Sequence, residues 1–147
     1  MTQKLISESR ETEPRPTEFD VVMSADIHAI EPVVAWVMRL VGELDYALGK
    51  EFHIELALHE ALANAVLHGC GSDPTKKIEC HVSADKDHGI LIVVRDPGPG
   101  FDIASLPSPT ERQNLFSEHG RGILLINQLM DEVKYARHGS EIQMRKY

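Results

Sequence analysis

The run from His53 to Gly69 constrains the fold more than any other stretch of the chain. Ile54, Leu58, Ala61, Leu62, Ala65 and Val66 recur at helical spacing, which predicts a buried helix with one apolar face. Glu60, Asn64 and His68 stand four residues apart within it and stack along a single stripe. A carboxylate and a carboxamide one turn apart, flanked by alanine and leucine, do not make a solvated face. The small alanines leave room for something to approach. Asn64 presents a neutral oxygen suited to hydrated Mg²⁺, which prefers oxygen ligands and keeps several waters. Glu60 can take a proton from an attacking hydroxyl or water. The plainer alternative is a pair of capped or paired core polar groups, and the helix alone does not separate the two.

The chain has 147 residues, enough for one domain with a sizeable core. Its formal net charge of −8 argues against a general nucleic-acid binder, which needs a basic patch. A phosphate site is still open to it, because backbone N–H groups can build one without many lysines. No apolar run approaches membrane-spanning length, and Met1 to Pro16 carries no signal-peptide core. Cys70 and Cys80 lack C-x-x-C spacing, so reduced thiols in a cytoplasmic protein are expected. The histidines show no H-E-x-x-H or similar ligand spacing.

Residues 1–17 are charged and proline-bearing and are expected to form a flexible arm. Residues 18–147 then form a single domain. Glu18 to Ser24 is a short first strand. Ser24 and Asp26 are cap candidates for a helix carrying Ile30, Val33, Val34, Val37, Leu40, Val41 and Leu44. That helix has Pro32 in its first turn and an expected end near Gly49. Trp36 is assigned to the core. The second helix runs from Glu51 to about His68, and the glycine-bearing stretch from Gly69 to Pro74 stops it. Lys77 to Ala84 alternates as a half-buried strand, and Ile90 to Val94 is a continuous apolar one. The short turn between them makes the pair antiparallel. Ile103 to His119 is a lid-like loop. Ile123 to Met130 is an apolar helix opened by Gly120-Arg121-Gly122. Glu132 to Ala136 and Glu141 to Lys146 close the sheet.

Two glycine clusters bear on chemistry. Asp96-Pro97-Gly98-Pro99-Gly100 follows the apolar strand. Its glycines permit close backbone approach and its prolines stiffen the turn. An aspartate at a strand exit can point into a pocket and accept from an amino group; a simple tight turn is the commoner use of such a stretch. Gly120-Arg121-Gly122 stands at a helix start, where free N–H groups and the helix dipole favour a phosphate. A plain helix cap is the alternative there.

The joint pattern is more specific than its parts. A helix with E-x-x-x-N, a strand ending in D-x-G-x-G, a lid-like loop and a G-x-G helix start follow one another in this order. From Glu18 to Tyr147 the chain resembles the GHKL (Bergerat-fold) ATPases, which include histidine-kinase ATP domains, gyrase and MutL. D-P-G-P-G-F-D with G-R-G-I is similar to the RsbW/SpoIIAB type of anti-sigma-factor serine kinase. The resemblance implies that Glu60 is the base that activates an acceptor serine and that Asn64 coordinates Mg²⁺. It makes Asp96 the adenine-reading aspartate, with Gly98 and Gly100 lining the base pocket. Gly120, Arg121 and Gly122 become the phosphate-contacting loop, and His68 a packing or supporting residue. Ser140 matches the family's late hydroxyl residue only loosely and is not counted among the site residues.

The implied function is a Mg-ATP-dependent protein serine/threonine kinase acting as an anti-sigma factor. It would bind ATP or ADP, phosphorylate a STAS-type antagonist, sequester a sigma factor and form a homodimer. The alternatives are a nucleotide-gated switch that holds a partner without efficient phosphotransfer, and a regulatory domain with a degenerate pocket. The implied fold is an α/β two-layer sandwich. Its mixed, mostly antiparallel sheet carries helices on one face, with ATP between the helices and the lid.

Overall fold

Alternation of apolar and polar residues builds the sheet. The computed structural model describes residues 17–44, 47–100 and 118–147, and the side chains of all of these except 118–121. The expected arm and lid fall almost wholly outside these residues. Strands β1 (Thr17–Ser24), β2 (Lys77–Asp85), β3 (Gly89–Arg95), β4 (Glu132–Ala136) and β5 (Glu141–Lys146) form one sheet in the order β1-β2-β3-β5-β4. Every pairing among them is antiparallel. No parallel pair occurs among the described strands, so the sheet lies at the antiparallel limit of the mixed arrangement expected.

The period of two divides the sheet cleanly. Ile78, Cys80, Val82 and Ala84 of β2, with Ile90, Ile92 and Val94 of β3, are buried on one face. Glu79, His81, Ser83, Leu91, Val93 and Arg95 point the other way and are exposed or half-buried. The β2–β3 turn is set by Asp85, whose Oδ1 accepts from the N–H groups of Asp87 at 2.8 Å and His88 at 2.7 Å. Gly89 closes the turn in the left-handed region, at φ +70°, where a side chain would strike the Lys146 carbonyl.

Among the described residues, three α-helices lie against the apolar face. Asp26 caps a short 3₁₀ turn, Ile27–Ala29, by accepting from the His28 N–H at 2.9 Å. Helix α1 (Ile30–Gly42) follows and buries Ile30, Val33, Val34, Val37 and Val41. It ends seven residues before the expected stop at Gly49. Gly42, a poor helix former, is its last residue, and Gly49 instead makes a left-handed turn at φ +85°. Trp36 sits at the margin of the core rather than inside it. Its ring meets Phe19 of β1 edge-on at 5.2 Å, a favoured geometry for aromatic pairs.

Helix α2 (Glu51–Asn64) buries Ile54, Ala57, Leu58, Ala61 and Leu62. The α-helical hydrogen-bond pattern then gives way, and residues Ala65–Gly69 form a π-helical turn. The Cys70 N–H bonds to the Ala65 carbonyl, five residues back, at 2.9 Å. The Ser72 N–H reaches the Val66 carbonyl at 2.8 Å, and Gly71 and Ser72 adopt left-handed conformations at φ +58° each. A single continuous helix to His68 was the expectation. The wider turn keeps Ala65 and Val66 buried while re-aiming the residues beyond them. Helix α3 (Glu118–Leu129) starts five residues before the expected Ile123, so Gly120-Arg121-Gly122 lies within its first turns rather than ahead of it.

The core therefore rests on α2 against the sheet. Full burial of a leucine side chain contributes about 1.5–3 kcal/mol, and the cavity left by truncation raises the loss. Leu58 is fully buried, whereas Leu48 is 82% exposed. Leu58→Ala should lower unfolding stability by about 2–5 kcal/mol, and Leu48→Ala should stay within about 0.5 kcal/mol of the parent. Urea unfolding with an unchanged slope checks both.

Candidate functional site

Asp96 leaves β3 at the point where the sheet meets the π turn. Its N–H bonds to the Ser140 carbonyl at 2.9 Å, which extends the β3–β5 pairing by one residue. Its Oδ1 accepts from the Gly98 N–H at 2.7 Å, so the D-P-G turn folds back on its own carboxylate. The side chain is half-buried. Burial pushes its pKa up; the Gly98 N–H and the Lys76 charge pull down and are outweighed. A carboxylate with one oxygen committed and the group partly desolvated is a strong acceptor for a ligand N–H.

A cavity of about 160 Å³ opens in front of it, between α2 with its π turn and the ends of β3, β4 and β5. Asn64, Asp96 and Gly100 line this cavity, together with Ala61, Ala65 and His68. The alanines do leave room for an approach. The glycine-rich turn after β3 is shaped by backbone packing. Gly100 is left-handed at φ +76°, and a Cβ there would overlap the His138 carbonyl. A Cβ on Gly98 would overlap the Gly69 carbonyl.

The phosphate-side candidates meet at the other end. Gly122 of α3 faces α2 so closely that a Cβ would lie 2.9 Å from Glu60 Oε2 and 3.2 Å from Asn64 Nδ2. Glu60 and Asn64, one turn apart, are thus brought against the glycine-bearing start of α3. Glu60 stands beside Gly122 and does not line the cavity itself. Because α3 begins at Glu118, Gly120 and Arg121 fall among its first four residues, whose N–H groups have no intrahelical partner. The side chain of Arg121 lies outside the described residues. His68 is exposed at the cavity rim.

The oxygen donors fit a magnesium–phosphate complex. Among the described residues no cluster of three or more His, Cys, Asp or Glu could hold a metal alone. Mg²⁺ does not require one, since it is held by one or two protein oxygens with phosphate and water completing the shell.

Several lining residues escaped the sequence reading. Val94, Ile123, Tyr135, Gly139 and Ile142 complete the cavity wall, joined by Ser140, the loosely matching hydroxyl residue that was not counted among the site residues. Ser140 is buried and its hydroxyl donates to the Arg137 carbonyl at 2.8 Å. Burial pushes the Tyr135 phenol up to about 12, which keeps it neutral. The strand alternation that puts Val94, Tyr135 and Ile142 on the helix-facing side was the available signal.

The strand exits are tied together on the opposite face. Arg95 Nε donates to the buried Glu141 at 2.7 Å, and Gln143 donates to the other carboxylate oxygen at 2.8 Å. Burial alone would raise the Glu141 pKa, but the hydrogen bonds from Gln143 and Arg95 and the Arg95 charge hold it below its ordinary 4.5.

Residues 23–146 match the model of the histidine kinase-like ATPase domain family. A serine-protein kinase RsbW from Oceanobacillus iheyensis is 33% identical over 101 residues, which span 64% of this chain and 63% of that protein. An anti-sigma F factor from Clostridium novyi is 30% identical over 118 residues, spanning 75% of this chain and 80% of that one. A serine-protein kinase RsbW from Bacillus subtilis is 26% identical over 129 residues, spanning 80% of each. The chain belongs to the histidine kinase-like ATPase domain family.

The two carboxylates should titrate in opposite senses. Glu141 has a depressed folded-state pKa, so its stabilisation is complete above 4.5 and is lost as pH falls through the folded value. The stability gap between wild type and Glu141→Gln should narrow steadily from pH 5 downward, roughly following a single titration. Asp96 is raised above 3.8, so its charged form opposes folding at neutral pH. Asp96→Asn keeps an oxygen for the Gly98 N–H and should be at least as stable as wild type at pH 7. That margin should vanish as pH falls below the unfolded value. Thermal melts across pH 3–7, roughly the carboxylate range, check both.

Proposed function

We propose that the protein is a Mg-ATP-dependent serine/threonine kinase that acts as an anti-sigma factor. Its substrate would be a STAS-type antagonist, and it would sequester a sigma factor when that antagonist is unavailable. The observation that carries the reading is the joint placement of four residues. Asp96 and Asn64 line one cavity, and Gly122 brings the α3 start against Glu60 and Asn64. The relatives named serine-protein kinase and anti-sigma F factor support the same direction. The proposed domain spans residues 18–147 with an arm at 1–17, working as a homodimer in the cytoplasm. No helix among the described residues is long and apolar enough to cross a membrane.

The proposed chemistry follows from what each group can do. Asp96 accepts from the exocyclic amino group of adenine, with Gly98 and Gly100 allowing the base to reach it. Asn64 supplies an oxygen ligand to the metal. The free N–H groups of the first turn of α3, at Gly120 and Arg121, hold the phosphates at its positive end, and the bare Cα of Gly122 keeps the approach past Glu60 and Asn64 open. Mg²⁺ held through Asn64 would supply charge neutralisation at the phosphates. Glu60 orients the acceptor serine and takes its proton. Positioning and charge stabilisation supply most of the rate in phosphoryl transfer.

Glu60→Ala should therefore lower phosphotransfer by about 10²-fold or more, in line with the loss of a general base, while ATP affinity changes little. Asn64→Ala should weaken ATP binding in the presence of Mg²⁺ and have little effect in EDTA. Calorimetry and a radiolabelled transfer assay with a serine-bearing antagonist separate these effects. Undiminished transfer by the Glu60 variant contradicts the base assignment. ATP binding without transfer to any antagonist favours the nucleotide-gated switch instead.

A further inference from the structure

The π turn at the end of α2 presents Gly69 to the carboxylate of Asp96. A Cβ on Gly69 would fall on the Asp96 carboxyl carbon and on both of its oxygens, with Oδ1 at 2.7 Å. The three nearest obstacles all belong to that one side chain. Gly69 is not among the left-handed glycines, so its backbone does not require glycine. What requires it is the space above its Cα. The same residue's carbonyl lies under Gly98, and the Gly98 N–H holds Asp96 Oδ1. Gly69, Asp96 and Gly98 therefore form one interlocked unit at the cavity wall.

We infer that Gly69 is a positioning residue: lacking a side chain, it seats the Asp96 carboxylate to accept from a 6-amino group, and through Asp96 it sets the preference for 6-aminopurine over 6-oxopurine nucleotides. The inference rests on the nucleotide reading above. A methyl group at 69 must drive the carboxylate away from α2 and off its bond to Gly98. The displaced carboxylate no longer meets the amino group at hydrogen-bond distance. A 6-oxopurine has an acceptor at that position and makes no such bond, so it has little to lose. The fold itself should tolerate the change, because the obstacle is the end of a side chain. Gly98 and Gly100 differ in this respect, since backbone carbonyls of Gly69 and His138 stand in the way of a Cβ there.

The test is calorimetric binding of Mg-ATP and Mg-ITP to wild type and Gly69→Ala, with thermal melts of both proteins. Wild type should prefer ATP by about tenfold or more, the worth of one charged hydrogen bond. Gly69→Ala should melt within a few degrees of wild type and lose most of that preference. The loss should come through weaker ATP binding, with ITP affinity changed less than about threefold. Failure of wild type to bind either nucleotide would sink the nucleotide reading. Wild-type selectivity retained by Gly69→Ala would sink only the role of Gly69. Should Gly69→Ala not fold, Asp96→Ala in the same chain must restore folding by removing the obstructing carboxylate. A double variant that stays unfolded overturns the inference.

Discussion

The site depends on a half-buried carboxylate held against bare backbone. Asp96 is the first residue after β3, and its main chain is fixed by the Ser140 carbonyl. Its side chain is fixed by the Gly98 N–H. Burial makes its charge costly, and a charged group in such a place is kept where a ligand donor completes its hydrogen bonding. The surrounding glycines follow from this. Any larger residue at 69 or 98 would collide with the carboxylate or with the carbonyl beneath it.

The architecture explains how distant parts of the chain reach one cavity. The antiparallel order β1-β2-β3-β5-β4 sets the exit of β3 beside the start of β5, so Asp96 and Ser140 are neighbours. Helix α2 crosses the apolar face with Asn64 and Glu60 on the side that meets α3. The Arg95–Glu141–Gln143 cluster on the outer face locks the same strand ends from behind. Rigid sheet ends and a helix junction thus frame the cavity, which is how precise sites are held on a scaffold.

Much of this was legible in the residues. The alternation in Lys77 to Ala84 and the apolar run Ile90 to Val94 located both strands and their buried face. Glu60 and Asn64 stood out because polar groups in apolar surroundings need a reason, whereas Asp96 stood out only through the joint motif order and the family it resembles. The π turn did not stand out. One wider turn leaves Ala65 and Val66 buried just as an α-helix would, so apolar periodicity cannot register it. Gly69 reads as an ordinary helix stop for the same reason, since its close contact is with a residue far away in sequence. Helix α1 was overextended because Leu44 continues the apolar spacing past Gly42. Alternation puts Tyr135 on the helix-facing side, but only the pairing of β3, β5 and β4 brings it to the cavity, and Ser140 arrives through its carbonyl's bond from the Asp96 N–H.

The central claim is that a nucleotide sits between Asp96 and the start of α3. Amide chemical-shift mapping by NMR during titration with Mg-ADP tests it most directly. The account predicts saturable shifts concentrated at Asn64, Gly69, Asp96, Gly98, Gly100, Ser140 and the first turn of α3. The outer sheet face around His81 and Val93 should stay unmoved. Shifts confined to that outer face, or none at saturating ligand, would contradict it.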